Sequence, residues 1–316
     1  MRMAGPTYSV LAEGRRIDRP HMAADGRHVV WTQQVEGQQD LFLARDGEVE
    51  RLTNSPENEG FSMVSDGAET VAFTRRDTES NVWQLHLRRH GAEATLEGSG
   101  HHVQSAALSA DGAHVAWEDY GHIRRSETES ALQPGVKPQH GDHDARQRKP
   151  QLSGDGATLL YQVSDLDSAE SHLVIERDGR TLEEIDNNTD APTALSPSGN
   201  LVVFPTTDEQ GFHDLSLLDL RTGQTTVISA EPEADEAQPS VDDQGNIVFQ
   251  MTRYDEQSQP VRSLMYRDGA GLRELVPAEA EWEPSLPQLS ADGRTLLWLA
   301  TSKSDPEHRQ IRQTTL

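Results

Sequence analysis

One short signature recurs seven times along the chain and constrains the fold more than any other feature. Each copy has Asp-Gly, or a related pair, followed by a short apolar run that includes an aromatic residue. The copies read AADGRHVVW, VSDGAETVAF, SADGAHVAW, SGDGATLLY, SPSGNLVVF, DDQGNIVFQ and SADGRTLLW. Their glycines are Gly26, Gly67, Gly112, Gly156, Gly199, Gly245 and Gly293, at successive spacings of 41, 45, 44, 43, 46 and 48 residues. This spacing is the length of one four-stranded propeller blade.

The residues around each turn predict a tight β-hairpin, because Asp-Gly pairs accept positive φ and apolar residues flank them on both sides. The aromatic residues recur so regularly that they indicate packing between blades. They are Trp31, Phe73, Trp117, Tyr161, Phe204, Phe249 and Trp298. An alternating third strand and a more polar fourth strand follow in most repeats. The sequence therefore predicts an all-β, seven-bladed β-propeller.

The two ends of the chain are expected to contribute strands to the same blade. After Trp298 the sequence supplies one further strand, around Gln310 to Arg312, whereas Thr7 to Leu11 precedes the first repeat and has no blade of its own. We expect this N-terminal strand to complete the last blade and remove two free sheet edges. The predicted single domain covers residues 1–316, with blades near 18–55, 56–98, 99–145, 146–188, 189–232, 233–280 and 281–316 plus 7–11.

The charge balance disfavours two classes of partner. The chain carries 28 basic and 53 acidic residues, a formal net charge of -25, and its lysines are Lys137, Lys149 and Lys303. Such a surface repels phosphate backbones and anionic lipid, so we expect neither nucleic-acid binding nor membrane insertion. A dense acidic surface with few lysines is typical of a protein from a high-salt or high-GC organism, since salt screens its self-repulsion.

The compartment stays open at this stage. The chain has no cysteine, which excludes disulfides and thiolate metal sites but does not identify a redox compartment. Met1 to Leu11 lacks the apolar core of a signal peptide. We expect a soluble protein that is periplasmic if a leader was removed and cytoplasmic otherwise. We expect no cofactor.

The repeats SLPQLSADGRTLLWLATS and KPQLSGDGATLLYQVS resemble the WD40-like (PD40) repeat of TolB-type propellers. The resemblance covers nearly the whole chain and implies a propeller that binds protein partners. The same repeat type occurs in propellers of prolyl-oligopeptidase-type peptidases and in seven-bladed polysaccharide lyases. The chain differs from TolB, which pairs six blades with a smaller N-terminal domain. The Gly-x-Ser-x-Gly motif of the peptidases' hydrolase domain is not in the sequence, so a peptidase is nearly excluded.

Function is expected on the face opposite the Asp-Gly turns, around the channel mouth, where the connections between blades are less regular. The basic side of this ring lies at blades three and four and the acidic side at blades five to seven. Cations there suit a carboxylate, and aromatic side chains suit a sugar or peptide. The candidate ligand-binding residues are Arg19, His101, His102, Tyr120, Arg146, Arg148, Lys149, Tyr254 and Trp282.

Metal binding is the weaker interpretation of the histidines and acidic loops. Adjacent side chains of an extended segment point in opposite directions, so His101 and His102 do not easily share one ion. The segment Gln139 to Asp144 holds two histidines and two aspartates, which favours a polar loop over a metal site. Asp165 and Asp167 lack the glycine and closing glutamate spacing of a calcium loop. We therefore predict no metal.

Two functional hypotheses remain. The leading one is a non-catalytic propeller that binds a protein or peptide partner through its channel-mouth face, because no catalytic constellation stands out. The alternative is a polysaccharide lyase that acts on an anionic, uronate-containing glycan. In that case His101, His102 or Tyr254 would be the base, and the cluster of Arg146, Arg148 and Lys149 would neutralise the uronate carboxylate.

Overall fold

Seven four-stranded antiparallel sheets make up the described chain, which is an all-β, seven-bladed β-propeller as the repeats predict. A computed structural model describes residues 7–96, 102–132, 139–140, 145–164, 171–186, 190–279 and 281–316. The chain divides into two compact units, one formed by 18–188 and the other by 1–17 with 189–316.

The strands of both units are short. In chain order they are β1 (Ser9–Arg15), β2 (Asp18–Met22), β3 (His28–Val35), β4 (Gln38–Arg45), β5 (Glu48–Arg51), β6 (Glu59–Val64), β7 (Thr70–Arg76), β8 (Trp83–Arg89), β9 (Ala92–Thr95), β10 (Ala106–Leu108), β11 (His114–Asp119), β12 (His122–Glu127), β13 (Gln139–His140), β14 (Arg146–Leu152), β15 (Thr158–Ser164), β16 (Ser171–Arg177), β17 (Arg180–Asp186), β18 (Ala194–Leu195), β19 (Leu201–Thr207), β20 (His213–Asp219), β21 (Gln224–Ser229), β22 (Asp235–Val241), β23 (Ile247–Tyr254), β24 (Pro260–Asp268), β25 (Gly271–Val276), β26 (Trp282–Leu289), β27 (Thr295–Ser302) and β28 (His308–Thr315).

Helical structure in the described residues is minimal. A 3-10 turn covers Asp66–Ala68, and the short helix α1 covers Thr128–Ala131. No described helix has the length and apolar character that crossing a membrane requires.

The 18–188 unit contains blades 1 to 4, with strand orders β2-β3-β4-β5, β6-β7-β8-β9, β10-β11-β12-β13 and β14-β15-β16-β17. The other unit contains blades 5 to 7, with orders β18-β19-β20-β21, β22-β23-β24-β25 and β26-β27-β28-β1. Within the described residues, the fourth strand of blade 3 covers Gln139–His140. The third strand of this blade, β12, is regular over 6 residues, although Ile123 to Arg125 has only one aliphatic residue.

The Asp-Gly turns are structural. All seven repeat glycines have φ between 66° and 84°, a range in which other residues are strained. Ser153 shows how the turn is held: its hydroxyl donates to Asp155 Oδ1 at 2.6 Å and accepts the Thr158 N–H at 2.9 Å. The same pair of bonds recurs around Ser109 and Ser290. These turns therefore use their polar groups internally.

The repeat aromatics lie in the core, and each of the seven is at most 5% exposed. Phe73 of blade 2 packs with Leu41 and Leu43 of blade 1, and Trp117 of blade 3 packs with Leu85 and Leu87 of blade 2. Tyr161, Phe249 and Trp298 occupy comparable clusters that join blades 3 and 4, 5 and 6, and 6 and 7. The prediction of packing between blades is confirmed at these five positions.

The N-terminal strand completes blade 7, as predicted. Strand β1 pairs antiparallel with β28, from Ser9 opposite Gln313 to Arg15 opposite His308. The predicted range of Thr7 to Leu11 was too early, because the polar residues up to Arg15 also pair with β28. Thr7 contributes through its carbonyl oxygen, which accepts the Thr314 hydroxyl at 2.7 Å.

The first strands of blades 1 and 2 are joined by a histidine. The Val64 N–H donates to His21 Nδ1 at 3.3 Å, so the ring must be unprotonated at that nitrogen. Burial lowers the pKa of His21 to about 4. Unfolding returns the ring to water and to an ordinary pKa near 6.5. Between about pH 4 and pH 6.5, the unfolded chain therefore binds a proton at His21 more tightly than the folded chain does.

We expect His21 to make folding less favourable as the pH falls from about 6.5 to about 4, with no further loss from this group below pH 4. The ring is only partly buried, so its contribution is about 2 kcal/mol, less than the full shift would give. His21→Gln keeps an acceptor for the Val64 N–H but does not titrate. Chemical denaturation across this pH range should show a smaller decrease in the free energy of unfolding for the variant than for the wild type. Identical pH profiles for the two proteins would contradict the assignment.

Candidate functional site

The site begins at the hairpin between β11 and β12 in blade 3. Tyr120 and Gly121 form its turn, with φ of 55° and 83°, the combination that a two-residue type I′ turn requires. Tyr120 is 77% exposed. The hairpin therefore presents an aromatic side chain to solvent on a fixed backbone.

Strand β14 of blade 4 is bonded directly to this hairpin. The Gln147 N–H donates to the Gly121 carbonyl at 2.7 Å, and the Ile123 N–H donates to Gln147 Oε1 at 2.8 Å. A Cβ atom on Gly121 would lie 3.1 Å from Arg146 Cγ. Arg146 therefore packs across the glycine, and the small residue sets the position of the guanidinium.

A buried carboxylate lies beneath the cations of β14. Glu118 is 4% exposed; the Ser105 hydroxyl donates to its Oε2 at 3.1 Å, and Arg146 Nη2 lies 3.8 Å from its Oε1. Burial raises the pKa of Glu118, against the hydrogen bond from Ser105 and the charges of Arg146, Arg148 and Lys149. The charges of three cations thus act on one buried carboxylate. We call these three cations with Glu118 the blade 3–4 cluster.

The other two cations of the cluster are fixed through the backbone and a neighbouring strand. Lys149 has φ of 54°, at a β-bulge between Arg148 and Gln151, and bulges re-aim side chains. Its N–H donates to the Ser105 hydroxyl at 3.2 Å. Arg148 Nη2 donates to Ser164 Oγ at 2.7 Å. The Lys149 backbone is thus bonded to Ser105 of the connection before blade 3, and the Arg148 guanidinium is held by β15 of its own blade.

The remaining predicted residues belong to other parts of the chain. His101 is outside the described residues, and His102 is exposed with its Nδ1 accepting the Trp83 N–H at 3.4 Å. Arg19 occupies the bulge of β2 with φ of 39°, the place in blade 1 that Lys149 has in blade 4. Tyr254 ends β23 in the other unit and is 51% exposed. These positions stay predictions.

Trp282 has a structural contact that the sequence did not suggest. The Arg312 guanidinium lies between two rings, 5.0 Å from the centroid of Trp282 and 4.4 Å from that of Tyr8. Arg312 is 2% exposed and its Nη1 donates to Glu279 Oε1 at 2.8 Å. Trp282 therefore helps to hold the closure of blade 7.

Groups of three or more His, Asp or Glu side chains that could hold an ion are absent from the described part of the chain. The predicted loops at Gln139 to Asp144, apart from the backbone of β13, and at Asp165 and Asp167 lie outside that part.

Sequence reasoning identified the three cations of the cluster but missed Ser105, Glu118, Gly121 and Gln147. A signal for Glu118 existed, because it follows Trp117 directly, where the apolar run gives way to Glu-Asp-Tyr-Gly. An acidic residue at the end of a buried strand requires a partner. The identity of that partner depends on the neighbouring blade, which is close in space and distant in sequence.

The similarity of this chain to known proteins is a similarity of fold. No protein-family model matches the chain, and no curated protein matches it. The β-propeller domain of the Trilobed protease from Pyrococcus furiosus aligns with a TM-score of 0.69 at 11% identity, over 96% of this chain and 97% of that one. A puromycin-hydrolyzing peptidase of Mycobacterium tuberculosis aligns with a TM-score of 0.68 at 15% identity, over 95% of this chain and 51% of the other.

A structure from a study of two prolyl endopeptidases has a TM-score of 0.67 at 14% identity, over 97% of this chain and 51% of that one. The chain thus spans about half the length of these two peptidases. At such identities the likeness shows a shared propeller fold and leaves the activity open. The resemblance of the repeats to those of TolB-type propellers stays a prediction.

Proposed function

We propose that the protein is a non-catalytic binding propeller that recognises an acidic segment of a protein partner through the blade 3–4 cluster. The observation that carries this proposal is that the charges of Arg146, Arg148 and Lys149 all act on one buried carboxylate, Glu118, in a chain whose net charge is -25. Guanidinium forks pair with carboxylates in bidentate geometry. An acidic segment would meet these cations there and repulsion over much of the remaining surface.

Tyr120 supports a peptide as the ligand. Its exposed ring lies on a rigid turn next to Arg146, and an aromatic anchor beside an arginine is a combination enriched at protein interfaces. A partner side chain could pack on Tyr120 while a neighbouring carboxylate pairs with Arg146. The positively charged side of the predicted channel-mouth face would then be the contact surface.

The hydrogen bonds around Glu118 favour binding over catalysis. Ser105 donates its hydroxyl proton to Glu118 and accepts the Lys149 backbone N–H, so its hydroxyl is used for contacts within the cluster. Glu118 lies beneath the cations and is 4% exposed. The polar groups of the cluster are thus used to fix the cations.

A titration with a fluorescein-labelled peptide of alternating Asp and Glu residues with one Phe tests the proposal. The triple variant Arg146→Gln/Arg148→Gln/Lys149→Gln should bind at least about ten-fold more weakly, because each lost charged hydrogen bond costs about 1.5–3 kcal/mol. Glutamine is compatible with the bulge at Lys149, since Gln238 has φ of 54° at the corresponding bulge of β22.

The matched control Arg27→Gln/Arg45→Gln/Arg180→Gln removes three charges from the same unit outside the cluster, and its affinity should stay within about two-fold of wild type because distant charges are screened. Equal losses in both triple variants would show a general charge effect and contradict the proposal. Polygalacturonate is added in a separate arm. Its cleavage to an unsaturated, ultraviolet-absorbing product would establish the lyase alternative instead.

A further inference from the structure

A groove runs between blades 5 and 6 on the side of the Asp-Gly turns. Its volume is about 620 Å³, within the range of small-molecule sites. Leu201 and Leu217 supply apolar surface, and the turn at 219–224, the turn at 243–246 and the turn at 267–271 supply the polar walls. We call it the blade 5–6 groove. It lies away from the blade 3–4 cluster in sequence and belongs to the other unit.

The groove offers neutral hydrogen-bonding groups of the kind that bind hydroxyls. Gln224 and Thr226 line it from β21, and Gln244 and Asn246 line it from the turn of blade 6. Asn246 donates to Asp242 Oδ2 at 2.6 Å, which fixes its amide. Amide and hydroxyl side chains both donate and accept hydrogen bonds. The walls therefore match a ligand with several hydroxyl groups.

Most charges in the groove are paired, and the Asp243 carboxylate accepts the Ser198 N–H at 2.6 Å. Arg221 donates to both oxygens of Asp219, at 3.0 and 2.8 Å, and Asp268 accepts from Arg273 at 2.7 Å. Arg267 is different: within the part of the chain that the structure describes, its half-buried guanidinium has no hydrogen bond and no ion pair. An unpaired arginine in a strongly acidic chain leaves several donors for a ligand.

Arg88 of blade 2 has the same position in its blade as Arg267 has in blade 6, but its guanidinium has a partner within the chain. In blade 2, His86 lies opposite Phe73 and Arg88 follows two residues later; in blade 6, Met265 lies opposite Phe249 and Arg267 follows two residues later. Arg88 and Arg267 therefore have the same register position. Arg88 lines the groove between blades 1 and 2, of about 430 Å³, and donates to the carbonyl of its wall residue Leu52 at 3.0 Å.

We propose that the blade 5–6 groove binds a small hydroxylated ligand that carries one anionic group, a carboxylate or a phosphate. The Arg267 guanidinium pairs with the anionic group, since its planar fork fits two oxygens at once. The side chains of Gln224, Thr226, Gln244 and Asn246 bind the hydroxyls. Arg88 lacks this function because the chain itself supplies its acceptor.

Calorimetric titration with gluconate, glucose 6-phosphate and glucose tests the proposal. Binding of gluconate identifies a carboxylate site and binding of glucose 6-phosphate a phosphate site, whereas neutral glucose should bind at least ten-fold more weakly than the preferred anion. Arg267→Met should weaken that anion about ten-fold or more, the loss expected for a charged hydrogen bond. The matched Arg88→Met should change affinity less than about two-fold, because Arg88 is in another groove.

Arg267→Lys provides a second variant that keeps the charge and removes the fork. We expect an affinity between those of the wild type and Arg267→Met, with unchanged thermal unfolding in all three proteins. The proposal is overturned if neither anion binds at high millimolar concentration. It is also overturned if binding is the same in Arg267→Met, or if Arg88→Met weakens it equally.

Discussion

Replacing Arg312 with methionine should lower the free energy of unfolding by about 3 kcal/mol or more. The guanidinium is 2% exposed, lies between the rings of Tyr8 and Trp282, and donates to Glu279 and to Gln310. Methionine has a similar length but loses both cation–π contacts and leaves the Glu279 carboxylate without its cation. Since Tyr8 leads into β1, the variant weakens the closure of blade 7.

Differential scanning calorimetry should show a melting temperature lower by roughly 6 °C or more. Arg294→Met is the matched control in the same unit: its side chain is 80% exposed and lies 3.7 Å from Asp292. Exposed pairs contribute little, so its melting temperature should stay within about 1–2 °C of wild type. Similar values for wild type and Arg312→Met would show that the ring contacts do not stabilise the closure.

Gly156→Ala should destabilise the protein by about 3 kcal/mol, through two additive causes. The residue has φ of 69°, where a side chain costs about 1–2 kcal/mol. The new Cβ would also lie 2.4 Å from His114 Nδ1 and 2.7 Å from His114 Cβ, in blade 3. This overpacking adds about 1–3 kcal/mol because the contact involves the base of the side chain and not a mobile tip.

Gly223→Ala isolates the backbone contribution. Gly223 has the same φ of 69° but nothing within 4 Å of the added Cβ, so its variant should lose only about 1 kcal/mol. Urea denaturation of both variants gives the difference directly. Equal losses would mean that the close approach of the blade 4 turn to His114 has no energetic role.

The fold was predictable because its signals are local. Each turn requires a residue with positive φ, and glycine at Gly26, Gly112 or Gly293 reveals that requirement without knowledge of the rest of the chain. The apolar run after each turn is buried on both faces, so it is visible as a run. Seven repeats of such local signals define the blades and their order.

The limits of individual strands were less predictable. Strand β1 extends to Arg15 because its polar residues pair with β28, and an edge strand with solvent on one side lacks an apolar pattern. Strand β12 is regular although Ile123 is its only buried aliphatic residue. Its regularity comes from pairing with β11 and from the Gln147 side chain.

The candidate site was predictable only in its charged residues. Arg146, Arg148 and Lys149 form a visible basic cluster, but Glu118 and Ser105 come from another blade. The expectation that function lies opposite the Asp-Gly turns was built on the irregularity of the connections. The blade 5–6 groove lies on the side of the Asp-Gly turns, because those turns form part of its walls. Arg267 was not predicted as a binding residue, because it belongs to a regular repeat.

Hydrogen–deuterium exchange with the acidic peptide tests the central claim most directly, because it locates the bound segment. The proposal predicts slower amide exchange on binding in the turn at 120–123 and in the first half of β14, at 146–149. These segments share the Gln147 to Gly121 hydrogen bond, so they should respond together. Protection confined to the 189–316 unit, or no protection at saturating peptide, would contradict recognition by the blade 3–4 cluster.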